Sequence, residues 1–280
     1  MHPDSWPCAY PRLLSIAGSD SGGGAGIQAD LKTWSALGCF GMTAITALTA
    51  QNTTGVRAIH AVPAQMLADQ IDAVVQDIGV DAVKIGMLHS SEIVQTVAAA
   101  IKRHALQRVV LDPVMVATSG AVLIDSAAVD VLVCELFPRA AVITPNLDET
   151  ALLVRRALHS EADMEAAAIE LLAMGANAVL IKGGHLQGDV VSDFLTLASG
   201  EKIWMRDNRI HTPNTHGTGC TLSSAIAAHL ALGQGLVQAV QFARTYVRGA
   251  LQHGANVRTG QGSGPLNHSY APQPMVRNKR

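Results

Sequence analysis

Short apolar runs alternate with longer amphipathic runs along most of this chain, and that alternation restricts the fold more than any other feature. Residues 13–17 read as a strand, followed by a glycine loop and a helix over about 29–37. Residues 42–50 form a second strand candidate. The stretch 64–78 places Leu67, Ile71, Val74, Val75 and Ile78 on one helical face. Short apolar strands follow at 82–85, 108–111, 141–143 and 178–182, with helices at 92–104 and 164–174. A hairpin over 190–197 and 202–206 precedes two final helices, about 218–232 and 235–252. Strands alternating with helices imply βαβ units and a mainly parallel sheet covered on both faces.

The 280 residues suit one large α/β domain, and 49% hydrophobic against 15% charged residues allows a sizeable core. The expected division is an irregular arm over 1–12, a body over 13–268 and a flexible tail over 269–280. Lys+Arg 20 against Asp+Glu 22 leaves no electrostatic footprint for nucleic acid or an anionic membrane. No apolar run reaches the length of a membrane span, and the first residues lack the pattern of a signal peptide. Four cysteines without CxxC or zinc-finger spacing fit a reducing, cytoplasmic setting.

Several glycine motifs are decoys. The run Gly22-Gly23-Gly24-Ala25-Gly26 misses the dinucleotide fingerprint, because Ile27 stands where its last glycine belongs. No P-loop occurs. Asp20-Ser21-Gly22-Gly23 looks like a trypsin-like nucleophile segment, but that fold is all-β.

Open α/β sheets bind ligands at the carboxyl ends of their strands, so the polar residues there are the candidates. The strongest is Asn214-Thr215-His216-Gly217-Thr218-Gly219-Cys220-Thr221, opening an apolar helix. Glycines let the backbone approach a ligand, and free first-turn amides with the helix dipole favour an anion. The plainer alternative is a glycine turn with a threonine cap. Cys220 in that first turn has a setting that lowers a thiol pKa, against the alternative of a small packing residue. Cys8, Cys39 and Cys134 have no such setting and read as small packing residues. Asp112 follows one strand, and Glu149 lies in the turn after another. Two such carboxylates suit a magnesium ion shared with phosphates, or else a turn cap and a solvated helical turn. Lys182 ends a strand within reach of phosphate oxygens.

These pieces occur together and in order. The segments LLSIAGSDSGGGAGIQADLKTWSALG, ITALTAQNT, KIGML, VVLDPVM, ITPNLDE, LIKGGH and NTHGTGCTLSSAIAAHLA, with a late GQGSGPLNH, resemble the hydroxymethylpyrimidine/phosphomethylpyrimidine kinases of the ribokinase-like superfamily over roughly residues 13–268. The resemblance implies a three-layer α/β fold, ATP and magnesium (Mg2+) as cosubstrates, a small-molecule pyrimidine substrate phosphorylated twice, and a homodimer. It implies an anion hole at Gly217, Thr218, Gly219 and Cys220, with Cys220 as the base. It implies that Gln51 reads the aminopyrimidine edge, with Asp30, Gly18, Met87 and Val114 around the ring. Asp112 and Glu149 match the magnesium-side acids, and Lys182, Thr215 and Asn146 match contacts to ATP. Two rival readings remain at this stage: a pyridoxal kinase on the same fold, and a ligand sensor on a degenerate one.

Overall fold

The apolar runs lie side by side, as continuous burial on two faces requires. A computed structural model describes residues 8–116 and 123–279. In chain order the first strands are β1 (Cys8–Ala9), β2 (Arg12–Ala17), β3 (Phe40–Ile45), β4 (Ala47–Asn52), β5 (Gly55–Ala61) and β6 (Ala82–Ile85). β7 (Val109–Leu111), β8 (Val142–Ile143), β9 (Ala178–Ile181), β10 (Val190–Leu197), β11 (Lys202–Asn208) and β12 (Asn278–Lys279) follow. The helices are α1 (Gly26–Ala36), α2 (Ala64–Asp77), α3 (Ser91–Arg103), α4 (Ser126–Leu136), α5 (Leu147–Val154), α6 (Glu161–Ala173), α7 (Thr218–Ala231) and α8 (Leu236–Gly254).

Eight strands form the central sheet in the order β11-β10-β9-β8-β7-β6-β2-β3. From β3 to β9 in that order neighbouring strands pair in parallel, whereas β10 pairs antiparallel with both β9 and β11 and so runs against the rest. Side chains alternate across it as the pleat dictates. Leu14, Val83, Val109, Leu111, Ile143 and Val179 pack on one side, with apolar residues of α2, α3, α4 and α6. Leu13, Ala82, Val110, Val142, Ala178 and Leu180 face the other side, with α1, α7 and α8. The expected three-layer α/β build with helices on both faces is therefore present. Trp34 of α1, fully buried, donates its indole N–H to Ser224 O at 2.9 Å and ties α1 to α7 beneath the glycine loop.

The structure corrects several expected elements. The strand read over 42–50 breaks at Thr46, whose hydroxyl donates to Met87 O at 2.8 Å. Beyond it, β4 pairs antiparallel with β5 as a hairpin separate from the central sheet. β5 and α4 were absent from the sequence reading, and α5 extends the helical turn weighed at Glu149 into an eight-residue helix. The tail expected to be flexible instead lies along the body through residue 279. Gln273 N donates to Ala36 O and Val276 N to Gly38 O, both at 2.8 Å, and β12 pairs with β1. Arg12, placed in the arm, belongs to β2 and grips Asp81 at 2.7 Å. Cys39 is buried as a packing residue, but Cys8 and Cys134 are exposed. No helix among the described residues is long and apolar enough to cross a membrane.

Candidate active site

The carboxyl ends of β2, β6, β7, β8 and β9 open onto one cavity of about 660 Å³. Its lining includes Gly18, Gln51, Met87, Val114, Asp112, Asn146, Glu149, Lys182, Thr215 and the whole 217–220 segment. Thus residues spread over two hundred positions of sequence meet at one edge of the sheet. Asp30 is the exception.

At the acidic end, Asp112 is 1% exposed and accepts from Lys182 Nζ at 2.7 Å, Thr144 Oγ1 at 3.2 Å and Ser223 Oγ at 3.3 Å. Glu149 is also buried. Its presence there follows from local chemistry: Asn146 caps α5 and the two form a capping box. Asn146 N donates to Glu149 Oε2 at 2.7 Å, and Glu149 N donates to Asn146 Oδ1 at 2.9 Å. Lys182 Nζ lies 3.7 Å from Glu149 Oε2, so one ammonium serves both acids. Burial pushes Glu149 up to about 7, with the Asp112 charge adding to the rise and Lys182 opposing it. Burial works against the Lys182 charge, yet Asp112 and Glu149 outweigh it and raise its pKa. Among the described residues no group of three His, Cys, Asp or Glu side chains is arranged to hold a metal alone. Two buried carboxylates sharing one ammonium do, however, present the hard oxygen donors that magnesium takes alongside phosphates.

At the other end the glycine loops press together. Gly217 sits at φ +82°, and a Cβ there would come within 1.8 Å of Gly24 O. That contact requires the glycine at 217, while a Cβ at Gly24 would come within 2.4 Å of the His216 ring. Asp20 gathers the glycine loop, accepting from the amides of Gly22, Gly24 and Ala25 at 2.8, 3.0 and 2.9 Å. His216 Nε2 meets the same carboxylate at 2.8 Å, which pins the loop before α7 to the glycine loop. Burial raises the Asp20 pKa, but His216 and the amides outweigh it and the net shift is downward. The first-turn amides of Gly219 and Cys220 have no carbonyl four residues back within α7 and face the cavity end of the helix.

Cys220 lines the cavity, but its thiol does not behave as its helix position suggested. Burial pushes its pKa up, Asp30 and Asp112 add to the rise, and Lys84 and the Gly26 amide oppose it. Desolvation outweighs the helix terminus here. Asp30 is likewise corrected. It does not line the cavity. It is fully buried behind it, accepting from Lys84 Nζ at 2.9 and 3.0 Å, from Ser15 Oγ at 2.5 Å and from Ser224 Oγ. Lys84 is what reaches the cavity. Sequence reasoning passed over Lys84, although a lysine within a four-residue apolar strand is itself a signal. Asp20 was missed for another reason: it was weighed only within a protease-like segment. Gln51 stands on the β4 hairpin, its Oε1 accepting from Thr49 Oγ1 at 3.2 Å.

A mainly parallel sheet between two helix layers, a glycine-rich loop opening a helix and paired acids beside a lysine fit a ribokinase-like kinase. The comparisons narrow that class. A family model described as phosphomethylpyrimidine kinase matches residues 20–267. A hydroxymethylpyrimidine/phosphomethylpyrimidine kinase of Rhizobium meliloti is 51% identical over 258 residues, covering 92% of this chain and 96% of its own. The crystal structure of a Clostridium difficile phosphomethylpyrimidine kinase is 42% identical with TM-score 0.75, covering 86% and 99%. A Bacillus subtilis pyridoxal kinase in an ADP complex is 36% identical with TM-score 0.85, covering 94% and 98%. The chain belongs to the phosphomethylpyrimidine kinase family.

Proposed function

We propose that this protein transfers the γ-phosphoryl group of ATP to the hydroxymethyl group of 4-amino-5-hydroxymethyl-2-methylpyrimidine, and then phosphorylates the resulting monophosphate, for thiamine biosynthesis. The observation that carries this reading is the single cavity that joins Gln51 at one end to the 217–220 anion loop, Lys182 and the paired acids at the other. Gln51 offers a donor and an acceptor side by side, which suits an aminopyrimidine edge. Gly18, Met87 and Val114 surround the ring. Lys182, Thr215 and Asn146 contact the ATP phosphates, and the amides of 217–220 meet charge developing on the transferred group. Asp112 and Glu149 would hold magnesium, which would supply charge neutralisation for the phosphates. Cys220 accepts the proton of the substrate hydroxyl. The setting is cytoplasmic, with neither membrane nor nucleic acid as partner. The protein works as a homodimer, for which the exposed Phe40, Leu48 and Ile59 on the β3 edge and the β4–β5 hairpin supply apolar surface.

A second substrate is worth testing because the Bacillus subtilis pyridoxal kinase shares the fold closely. The experiment is ADP release under magnesium with each compound, in the parent and in Gln51→Leu. We expect turnover of the pyrimidine, and a loss of about 1–3 kcal/mol in its kcat/KM in the variant, because ring groups are left unpaired. Any pyridoxal turnover should fall less. Equal losses would mean that Gln51 shapes the site without reading the ring, and no ADP release with the pyrimidine would overturn the assignment.

A further inference from the structure

The antiparallel ladder between β9 and β10 ends at the pair Ile181–Phe194, just before Lys182. Beyond it, Gly183 passes so close to β10 that a Cβ there would come within 1.8 Å of Ser192 O. Its amide finds a side chain in place of a strand carbonyl: Gly183 N donates to Asp193 Oδ1 at 2.9 Å. The other oxygen of that carboxylate accepts from Arg244 Nε of α8 at 2.8 Å. Arg244 is itself fixed, since Nη2 donates to Met205 O at 3.1 Å and Nη1 lies 3.0 Å from Asp207 Oδ2. The Arg244 and Asp193 side chains are 12% and 10% exposed. For stability alone so sheltered a pair has little to recommend it, because apolar residues of similar volume are often as stable.

What the pair adjoins is Lys182. On its other side that residue donates its N–H to Pro145 O at 2.9 Å and bridges to Asn146. Its backbone is therefore clamped between the start of α5 and the bond from Gly183 to Asp193. At the far end of the side chain, Nζ lies 2.7 Å from Asp112 Oδ1 and 3.7 Å from Glu149 Oε2. A Cβ on Gly219, in the first turn of α7, would stand 3.2 Å from the same ammonium. A lysine is a point charge on a flexible four-carbon stem, so where its charge falls depends on how firmly its backbone is held.

We propose that Asp193 is a positioning residue for phosphate binding: oriented by Arg244, it holds the Gly183 amide and thereby sets where the Lys182 ammonium stands. This rests on the reading of Lys182 as a contact to the ATP phosphates. The link needs a carboxylate, which accepts on both oxygens. An asparagine has one oxygen and one NH2, so its NH2 must face a donor whichever way it turns. The charge-assisted bond to Arg244 takes the oxygen, and the Gly183 bond is lost. Removing Arg244 as well lets the oxygen return to Gly183.

The test measures magnesium-ATP affinity by calorimetry in the full chain without pyrimidine, and amide exchange at Gly183 by NMR without nucleotide. Thermal melts run alongside, and pyrimidine affinity serves as the control. Asp193→Asn should weaken magnesium-ATP about tenfold, near the lower end of what a hydrogen bond to a charged group contributes, with pyrimidine affinity kept. Gly183 should lose its protection from exchange. The double variant Asp193→Asn with Arg244→Met should regain most of both, although it carries one more substitution. Arg244→Lys is milder: it keeps the charge but not the fork that orients the carboxylate, and should cost about threefold, half that free energy. A folded single variant with the parent's ATP affinity overturns the proposal, as does an equal loss of pyrimidine affinity or a double variant no better than Asp193→Asn. A parent that binds no ATP would instead overturn the kinase reading, and this proposal with it.

Discussion

Cys220 faces two different acceptors in the proposed reaction, and they need it unequally. The hydroxymethyl group must lose a proton as it attacks. The monophosphate, with a second pKa near 6, is already mostly a dianion near neutral pH. Cys220→Ala keeps the loop amides, so it should slow the first phosphorylation about 10²–10⁴-fold, the usual share of a general base. The second should slow far less. Quenched time courses resolving monophosphate from diphosphate measure both. Equal losses at both steps would make Cys220 a packing residue of the loop. At this scale the sequence was informative wherever a polar residue ends a strand or opens a helix: Asp112, Lys182 and Cys220 all reach the cavity from such positions. Asp30 was misplaced because its role depends on a lysine fifty-four residues away, on a strand five elements later. Local pattern carries no record of that pairing. The upward shift of the Cys220 thiol was hidden for the same reason, since burial is set by the neighbours that α7 meets and not by the helix that carries it.

The contact between the glycine loop and the start of α7 gives the clearest test of an element. Gly217 and Gly233 both have positive φ, +82° and +88°. A Cβ at Gly217 would strike Gly24 O, whereas nothing lies within 4 Å of one at Gly233. Gly233→Ala should therefore cost only backbone strain of about 1–2 kcal/mol, with kcat/KM unchanged. Gly217→Ala must also drive the two loops apart. It should lose kcat/KM by more than tenfold in protein that still melts cooperatively. Matching kinetics for the two variants would remove the loop contact from the account. The elements themselves were legible where apolar periodicity was strong, as in β2, β6 and α7. The β4–β5 hairpin was not, because β5 is mostly exposed and lacks a buried face to give it alternation. The break at Thr46 was also unreadable: its cause is a hydrogen bond to Met87, not a Gly or Pro in the run.

Across the whole molecule, the chain's end closes around its beginning. The loop at 260–264 packs on the hairpin turn, with Gln261 N and Gly262 N donating to Thr53 Oγ1 at 3.2 Å, and Gly264 O accepts from His216 N at 3.0 Å. His268, just beyond, contacts Thr221 Oγ1 at 3.0 Å and accepts at its carbonyl from Tyr246 OH at 2.7 Å. Burial, with Lys32 adding, lowers the His268 pKa to about 4. An unfolded histidine titrates near 6.5, so the unfolded state binds the extra proton between those values. The contribution of His268 to stability is complete above pH 6.5 and fades as pH falls toward 4, by at most about 3 kcal/mol. His268→Asn should flatten the acid side of the melting curve over that window. An unchanged slope would show that His268 is not the group responsible. The same closure bears on how the enzyme is made. On the ribosome the sheet strands through β9 emerge well before the 214–220 segment, and domains begin to fold from the amino end during synthesis. Asp20 must wait for His216, and Thr53 for Gln261 and Gly262, so phosphoryl transfer switches on only after the 260–264 loop has emerged, and a chain stopped before it carries a framework without a reaction centre.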